Sequence, residues 1–324
     1  RRLGAAVRRV RFVPDPPGAG EAYRAGSTLS VVIPTYNRKD VLEETVRALA
    51  RQTVPPLEVI VVDDGSTDGT SDLLASLREE LRGRLDLLPL RQPNLKQGRA
   101  RNLGVGHAKG DLVLFLGDDT VPEPACVGEH LAAHAAGSGP RAVIGFTGWF
   151  RERMRVTPFL DFVNGHGPQF SFDFLRDGQE VPFTTLYTSN VSVPREALGR
   201  EPFDHRFNSY GWEDCELGWR LSSMGLPIVY RKAAATRHIH PQTLPQFLVR
   251  QRHVGRAVDV LYEIHPELDG SPWLPPRNAR WRHRTFSSAY AAAARVAAVL
   301  DAAGVRLPVR VYHGLVAWAF HSGR

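Results

Sequence analysis

Three times between Leu29 and Ala108 a short apolar run gives way to an amphipathic stretch, and a fourth run, Leu112 to Leu116, follows them. Leu29-Ser30-Val31-Val32-Ile33 is β-branched and closes at Pro34, a strand pattern. Arg38 to Ala50 then sets Leu42, Val46 and Leu49 on one helical face. Leu57 to Val62 makes a second strand, ending in Asp63-Asp64-Gly65-Ser66. The next helix turns Leu73 or Leu74, Leu77 and Leu81 inward, with Asp68 or a neighbouring Ser/Thr as its cap. Leu85 to Leu90 is a third strand, and Gln97 to Ala108 a third helix presenting Ala100, Leu103 and His107. Strand-helix units joined by short links predict a largely parallel, three-layer α/β sheet with right-handed crossovers.

The fourth run alternates with nothing, so it reads as a strand buried on both faces. Asp118 and Asp119 follow it directly and emerge at its C-terminal edge, where ligands sit in open α/β sheets. Aspartates also stabilise turns through the local backbone, so the pair alone admits either use. As ligands, two carboxylates suit Mg²⁺ or Mn²⁺ that also takes phosphate oxygens.

Beyond this series the pattern loosens. A helix is expected within Pro124 to Ala136 and strands over Ala142 to Phe150 and Thr185 to Pro194, with one helical turn at Arg195 to Leu198. Between them, residues 154–183 hold six phenylalanines among glycines, prolines and polar residues, which predicts a long functional loop or mobile cover. A second acidic pair, Glu213-Asp214, opens a helix whose apolar face is Leu217, Leu221 and Met224. Capping against the helix dipole accounts for one of these acids better than for two. A short strand at Ile228 to Tyr230 precedes His238 and His240, which share a face if their segment is extended. A long helix then carries Phe247, Leu248, Gln251, Val254, Val258 and Leu261. A Pro-rich linker (266–278) and two helices near 285–303 and 309–320 end the chain.

With 324 residues, 43% of them apolar, the chain is long enough for one large domain with an appendage, or for two. Residues 1–27 are basic, then rich in Pro and Gly, and read as a surface arm with a short strand at Arg9 to Val13. They lack an apolar core of signal-peptide type and a starting Met. Two cysteines, Cys126 and Cys215, exclude a disulfide framework. No apolar run approaches the ~18 residues of a spanning helix. The net charge of +7 includes Arg277, Arg280, Arg282 and Arg284. Without an interleaved aromatic platform these arginines do not make a nucleic-acid site. With the apolar helices after them they fit a peripheral membrane contact or a homodimer contact, and they place the chain in the cytoplasm or at the inner face of the plasma membrane.

Taken in order, the motifs resemble family 2 of the inverting, nucleotide-sugar-dependent glycosyltransferases, of the GT-A fold, over roughly residues 28–262. Val31-Val32-Ile33-Pro34-Thr35-Tyr36-Asn37-Arg38 is similar to the family's first strand and loop, and Val61-Val62-Asp63-Asp64-Gly65-Ser66 to its second. Gly98 to Gly104 resembles the helix crossing the donor site, Gly117-Asp118-Asp119 the DxD metal motif, and Trp212-Glu213-Asp214 the acceptor-side signature. The resemblance implies a nucleotide-binding half (28–121), an acceptor-binding half (122–262) and a C-terminal helical region (263–324).

It also implies roles. Pro34, Thr35, Tyr36 and Asn37 would hold base and ribose. Asp64 would accept from the base edge, while Asp63 shares that task or orders the turn. Arg101 and Asn102 would approach the nucleotide, and Arg252 and Arg256 the diphosphate, near Arg250. Asp119 would ligate Mg²⁺ or Mn²⁺, with Asp118 at the ribose or the metal's water shell. Gly117 stands where the family has its first Asp, which leaves His240, ahead of His238, as a second ligand. Asp214 would be the general base, with Glu213 orienting it or holding that role itself. Asn190, Ser192 and Trp212 would bind the acceptor, with Trp149 stacked on a sugar or packed in the core. The donor is a nucleoside-diphosphate sugar, a UDP-sugar by default, and the acceptor a carbohydrate, lipid-linked or small-molecule hydroxyl. The alternative is a sugar-nucleotide or glycan-binding protein of the same fold whose catalysis has weakened, with Gly117 as its sign.

Overall fold

The computed structural model describes residues 26–136, 139–167, 169–208, 211–275 and 287–324. The N-terminal arm up to residue 25 and Arg277, Arg280, Arg282 and Arg284 lie outside the described residues.

The predicted series folds as read. Strands β1 (Leu29–Thr35), β2 (Glu58–Asp63), β3 (Leu87–Arg91) and β4 (Leu112–Leu116) are parallel neighbours in the order β3-β2-β1-β4. Helices α1 (Lys39–Leu49), α2 (Thr70–Glu80) and α3 (Gln97–His107) connect them. Side chains alternate across the strands. Val31, Ile33, Val59 and Val61 pack with Leu42, Val46, Leu74 and Leu77 of α1 and α2, while Val32, Ile60, Val62 and Phe115 pack on the α3 side. This two-sided burial is what the continuous apolar runs require. In α3 the inward face is Gly98, Ala100, Arg101, Gly104 and Val105, with His107 exposed, a rotation from the expected Ala100, Leu103 and His107.

Past β4 the sheet becomes mixed. β7 (Asn190–Pro194) runs antiparallel to both β4 and β6 (Ala142–Trp149), β8 (Ile228–His238) is parallel to β6, and β5 (Thr120–Pro122) is antiparallel to β8. The short strand expected at Ile228 extends through His238. Its burial alternates at the ends around exposed Lys232 and Ala233, which masks the period in the sequence. Helix α4 (Cys126–Ala135) covers β6 and β8.

Residues 154–183 are not an open cover. They form α5 (Pro158–Gly165) and a 3-10 turn at Phe172–Phe174, and of the six phenylalanines only Phe174 is exposed. Pro158 in the first turn, with the Thr157 side chain accepting from Leu160 N, starts α5. After α6 (Arg195–Leu198) and α7 (Glu213–Ser223), the long α8 (Leu244–Ile264) packs with α9 (Ser287–Ala302) and α10 (Val309–Gly323). A Cβ on Gly255 would lie 2.0 Å from Phe320 O, so only glycine allows this close crossing of α8 and α10. Tyr312, Leu315, Val316 and Trp318 are thereby buried against the body, while α9 leaves Val296 and Val299 exposed. No described helix is long and apolar enough to cross a membrane.

Candidate active site

In the order β3-β2-β1-β4 the chain reverses direction of winding between β1 and β4, and the crevice beyond their C-terminal ends is the expected ligand position. Thr35 ends β1 there and Asp118 and Asp119 follow β4. Thr35 Oγ1 donates to Asp118 Oδ2 at 2.8 Å, and Thr45 Oγ1 to Asp118 O at 2.9 Å, so α1 and β1 jointly fix this turn.

β8 pairs with β5 in the register Thr120 to His238, which brings both histidines to Asp119. His238 Nε2 lies 3.2 Å from Asp119 Oδ1 and His240 Nδ1 3.1 Å from Oδ2. One ligand atom from each of these residues falls within 4.8 Å of the others, the only such His/Cys/Asp/Glu group among the described residues. Arg38, quoted in the first motif but given no role there, completes the cluster. Its Nη1 contacts Asp119 Oδ2 and lies 3.2 Å from Asp118 Oδ1, and its Nη2 is 2.9 Å from His240 Nδ1. Burial alone would raise the Asp119 carboxyl, but His238, His240 and Arg38 outweigh it and hold the group well below its ordinary value. Burial and then the Asp119 charge push Asp118 up to about 6.

One carboxylate and two imidazoles converging on a point make a fitting donor set for a divalent ion of the Mn²⁺ type. His238 Nδ1 is buried with no hydrogen-bond partner. Gly117 has a local explanation: a Cβ there would sit 2.3 Å from Thr120 Oγ1, and Thr120 is fully buried. A third acid at that position would have to displace the Thr120 hydroxyl.

Asp214 lies on the other side, in the first turn of α7. Gly211 and Trp212 precede it with φ of +96° and +73°. A bulky residue in the left-handed region is a strained conformation, held here by Trp212 Nε1 donating to Val254 O at 2.9 Å. The other two described non-glycine residues with positive φ, Asn37 and Lys96, lie in the loops after β1 and β3. Burial, then the neighbouring Glu213 charge, push the half-buried Asp214 up to about 7. Glu213 is itself fixed: its Oε1 accepts from Gln97 Nε2 at 2.5 Å and pairs with Arg101 Nη1 at 3.3 Å. A series of aromatic contacts runs from the Asp119 cluster toward Asp214. Trp149 stacks on His238, Phe170 meets both His238 and Tyr187, and the Asp214 charge is felt at Tyr187. Beyond Trp149 a cavity of about 500 Å³ opens, lined among others by Phe146, Asp161, Asn164, Arg306 and Tyr312.

Several other expected residues are engaged by the protein itself. Asp63 accepts from Ser66 N at 2.8 Å and Ser71 Oγ at 2.7 Å, which orders the turn after β2. Asp64 takes Leu95 N, Lys96 N and Gln92 Nε2 within 2.9 Å, bracing the entry to α3. Pro34 lies in the β1–β2 ladder, Asn37 Oδ1 accepts from Thr67 N at 2.8 Å, and Tyr36, next to the end of β1, is 46% exposed. Asn102 exchanges two hydrogen bonds with the Phe203 backbone. Asn190 and Ser192 are buried under α4, bonded to His130 and His134. Arg252 sits over the Trp318 ring and Arg256 Nε donates to Gly323 O, so both face α10.

The model for glycosyl transferase family 2 matches residues 30–185. A validoxylamine A glucosyltransferase of Streptomyces hygroscopicus subsp. limoneus is 34% identical over 239 residues, covering 66% of this chain and 52% of that protein. The chain thus spans about half the length of the curated relatives it matches first. Among solved structures, a mannosyltransferase from Pyrobaculum calidifontis, in complex with GDP-Man and Mn²⁺, superposes with a TM-score of 0.63 at 20% identity. The superposition covers 95% of this chain and 89% of that one. S. aureus TarS 1-349 follows at 0.54 and 19%, covering 91% and 90%. The matched motifs, the sheet order and these likenesses agree: residues 30–185 match glycosyl transferase family 2, and the chain has the GT-A fold.

Proposed function

We propose that this chain transfers a glycosyl group, with inversion, from a nucleoside-diphosphate sugar to a hydroxyl of a polyhydroxylated acceptor. The observation that carries the reading is the presence, linked by one series of aromatic contacts, of a cation-seeking Asp119-His238-His240 cluster and a carboxyl, Asp214, pushed up to about 7. The nucleotide would lie along the loop Thr35 to Asn37, with the exposed Tyr36 ring against the base. Asp63 and Asp64 act by shaping that loop's neighbours.

Asp119, His238 and His240 would hold Mn²⁺ or Mg²⁺, which when bound supplies positive charge to the leaving diphosphate. Asp214 accepts the acceptor's hydroxyl proton as that oxygen bonds to the sugar's anomeric carbon and the bond from that carbon to the diphosphate oxygen breaks. Attack opposite the leaving group inverts the centre. Glu213, anchored by Gln97 and Arg101, positions Asp214 and raises its proton affinity. The cavity beyond Trp149 suits the distal part of a sugar-like acceptor, since its planar polar groups include Asn164, whose Oδ1 is buried without a partner. The validoxylamine A glucosyltransferase relatives are consistent with a small polyhydroxylated acceptor.

Thermal-shift screening with uridine, guanosine and thymidine diphosphate sugars, with and without Mn²⁺, identifies the donor. Asp214→Asn then tests the base: transfer should fall about a thousandfold with donor affinity nearly unchanged. Retained turnover in that variant would remove Asp214 from the mechanism. In the unmodified enzyme kcat/KM should climb as pH rises through about 7, because the carboxylate form is the active one.

A further inference from the structure

An arginine is always a donor, so His240 Nδ1, 2.9 Å from Arg38 Nη2, presents a lone pair. The same nitrogen lies 3.1 Å from Asp119 Oδ2, itself an acceptor. Two lone-pair atoms this close are tolerable only with a cation between them, and the guanidinium fills that place. Asp119 and His240, on which Arg38 converges, are two of the three residues assigned to the metal.

We propose that Arg38 is a resident counter-cation that the divalent ion must displace, and that its release couples metal binding to diphosphate binding. This rests on the metal site assigned above. Arg38 has the freedom the role needs: its side chain is 36% exposed and projects from the turn between β1 and α1, beside the loop assigned to the nucleotide. Displaced from Asp119, a guanidinium at the crevice mouth finds its best partner in a phosphate, which it binds with parallel donors. With a diphosphate present the displacement becomes easier. By linkage, metal then favours diphosphate to the same degree.

Mn²⁺ binding to the nucleotide-free protein, followed by electron paramagnetic resonance titration, separates this from a passive role. Arg38→Met should tighten Mn²⁺ binding about tenfold, because the competing charge is gone. In the unmodified protein UDP or GDP should strengthen Mn²⁺ binding, and in R38M that enhancement should shrink by a similar factor. Unchanged or weaker Mn²⁺ binding in R38M overturns the proposal. If R38M does not fold, Arg38→Lys serves instead. A single ammonium cannot span Asp118, Asp119 and His240 together, so a smaller gain in the same direction is expected, and no gain overturns the proposal. Asp119→Asn is the control for the site: should neither the unmodified protein nor R38M bind Mn²⁺ more tightly than D119N, the metal assignment itself fails.

Discussion

Two polar clusters, each with a pair of histidines, lie on this sheet, and they are built on opposite rules. Under α4, Asn190 Nδ2 donates to Ala234 O at 2.8 Å, so its Oδ1 must accept, and His130 Nε2, 2.9 Å away, carries the proton. His130 Nδ1 is then a lone pair and takes the Ser192 hydroxyl at 2.8 Å. Ser192 Oγ in turn accepts from His134 Nε2 at 2.8 Å. Donors and acceptors run in one direction, both imidazoles are neutral, and no charge is needed. In the Asp119 cluster acceptors face acceptors and a cation reconciles them. Complementary donors and acceptors hold a fold, while converging lone pairs invite a ligand.

The strongest way to break this contrast is Asp119→Asn. Transfer should fall at least about a thousandfold, or roughly 4 kcal/mol in the barrier. The melting temperature should move by only about 5 °C, since Asp118 still balances Arg38. A comparable loss of fold and activity together would place Asp119 among the scaffold groups instead.

Asn190→Ala should do the reverse. It strands the His130 N–H and the Phe146 and Ala234 carbonyls in a buried site, lowering stability by about 3 kcal/mol. Turnover per folded molecule, assayed well below the new melting point, should stay within about twofold. A selective rise in acceptor KM would return Asn190 to the acceptor site that the motif suggested.

Much of both clusters was legible in the chain, though not their use. Asp118 and Asp119 could be placed at a strand end because Leu112 to Leu116 is uninterrupted, and Glu213-Asp214 at a helix start because Leu217 and Leu221 follow in step. His130 and His134 share a helix face, as Asn190 and Ser192 share a strand face, and those periods were readable too. That the two faces meet is a fact of sheet order, set by β7 entering antiparallel between β4 and β6. The same limit hid Arg38. Its neighbours lie at least eighty residues away, so local pattern shows its place after β1 but not its partners. Residues 154–183 misled for another reason: aromatic residues among glycines and prolines look irregular, yet they pack as a short helix and 3-10 turns.

Acid sharpens the contrast further. Burial lowers the two network imidazoles, His130 to about 4 and His134 to about 3, from an unfolded value near 6.5. The unfolded chain therefore takes up protons that the folded chain refuses. Their contribution to stability is complete above pH 6.5 and is lost as pH falls toward 4, at up to about 1.4 kcal/mol per pH unit for each imidazole. Urea midpoints measured from pH 7 to pH 4.5 should show this slope, and His134→Gln, which keeps a donor for Ser192, should roughly halve it. An unchanged slope would mean the network does not exclude protons.

The smallest expected effect concerns Gly117, the residue that makes the metal motif look incomplete. If space and not decay explains it, Gly117→Ala should cost about 1–2 kcal/mol, because a Cβ would press on Thr120 Oγ1 and force the buried, β-branched Thr120 side chain to shift. Moving Thr120 also disturbs its hydrogen bond to Asp119 Oδ1, at 3.3 Å, so Mn²⁺ binding should weaken a fewfold. Trimming the obstacle in the double variant Gly117→Ala/Thr120→Ala should restore part of the stability lost by the first change, a coupling readable from thermal melts of the four forms. Gly117→Asp, which restores the family's first acid, should share the instability and gain no Mn²⁺ affinity. A gain there would mean that the Asp119-His238-His240 set is short of a ligand and that the two histidines do not replace the missing carboxylate.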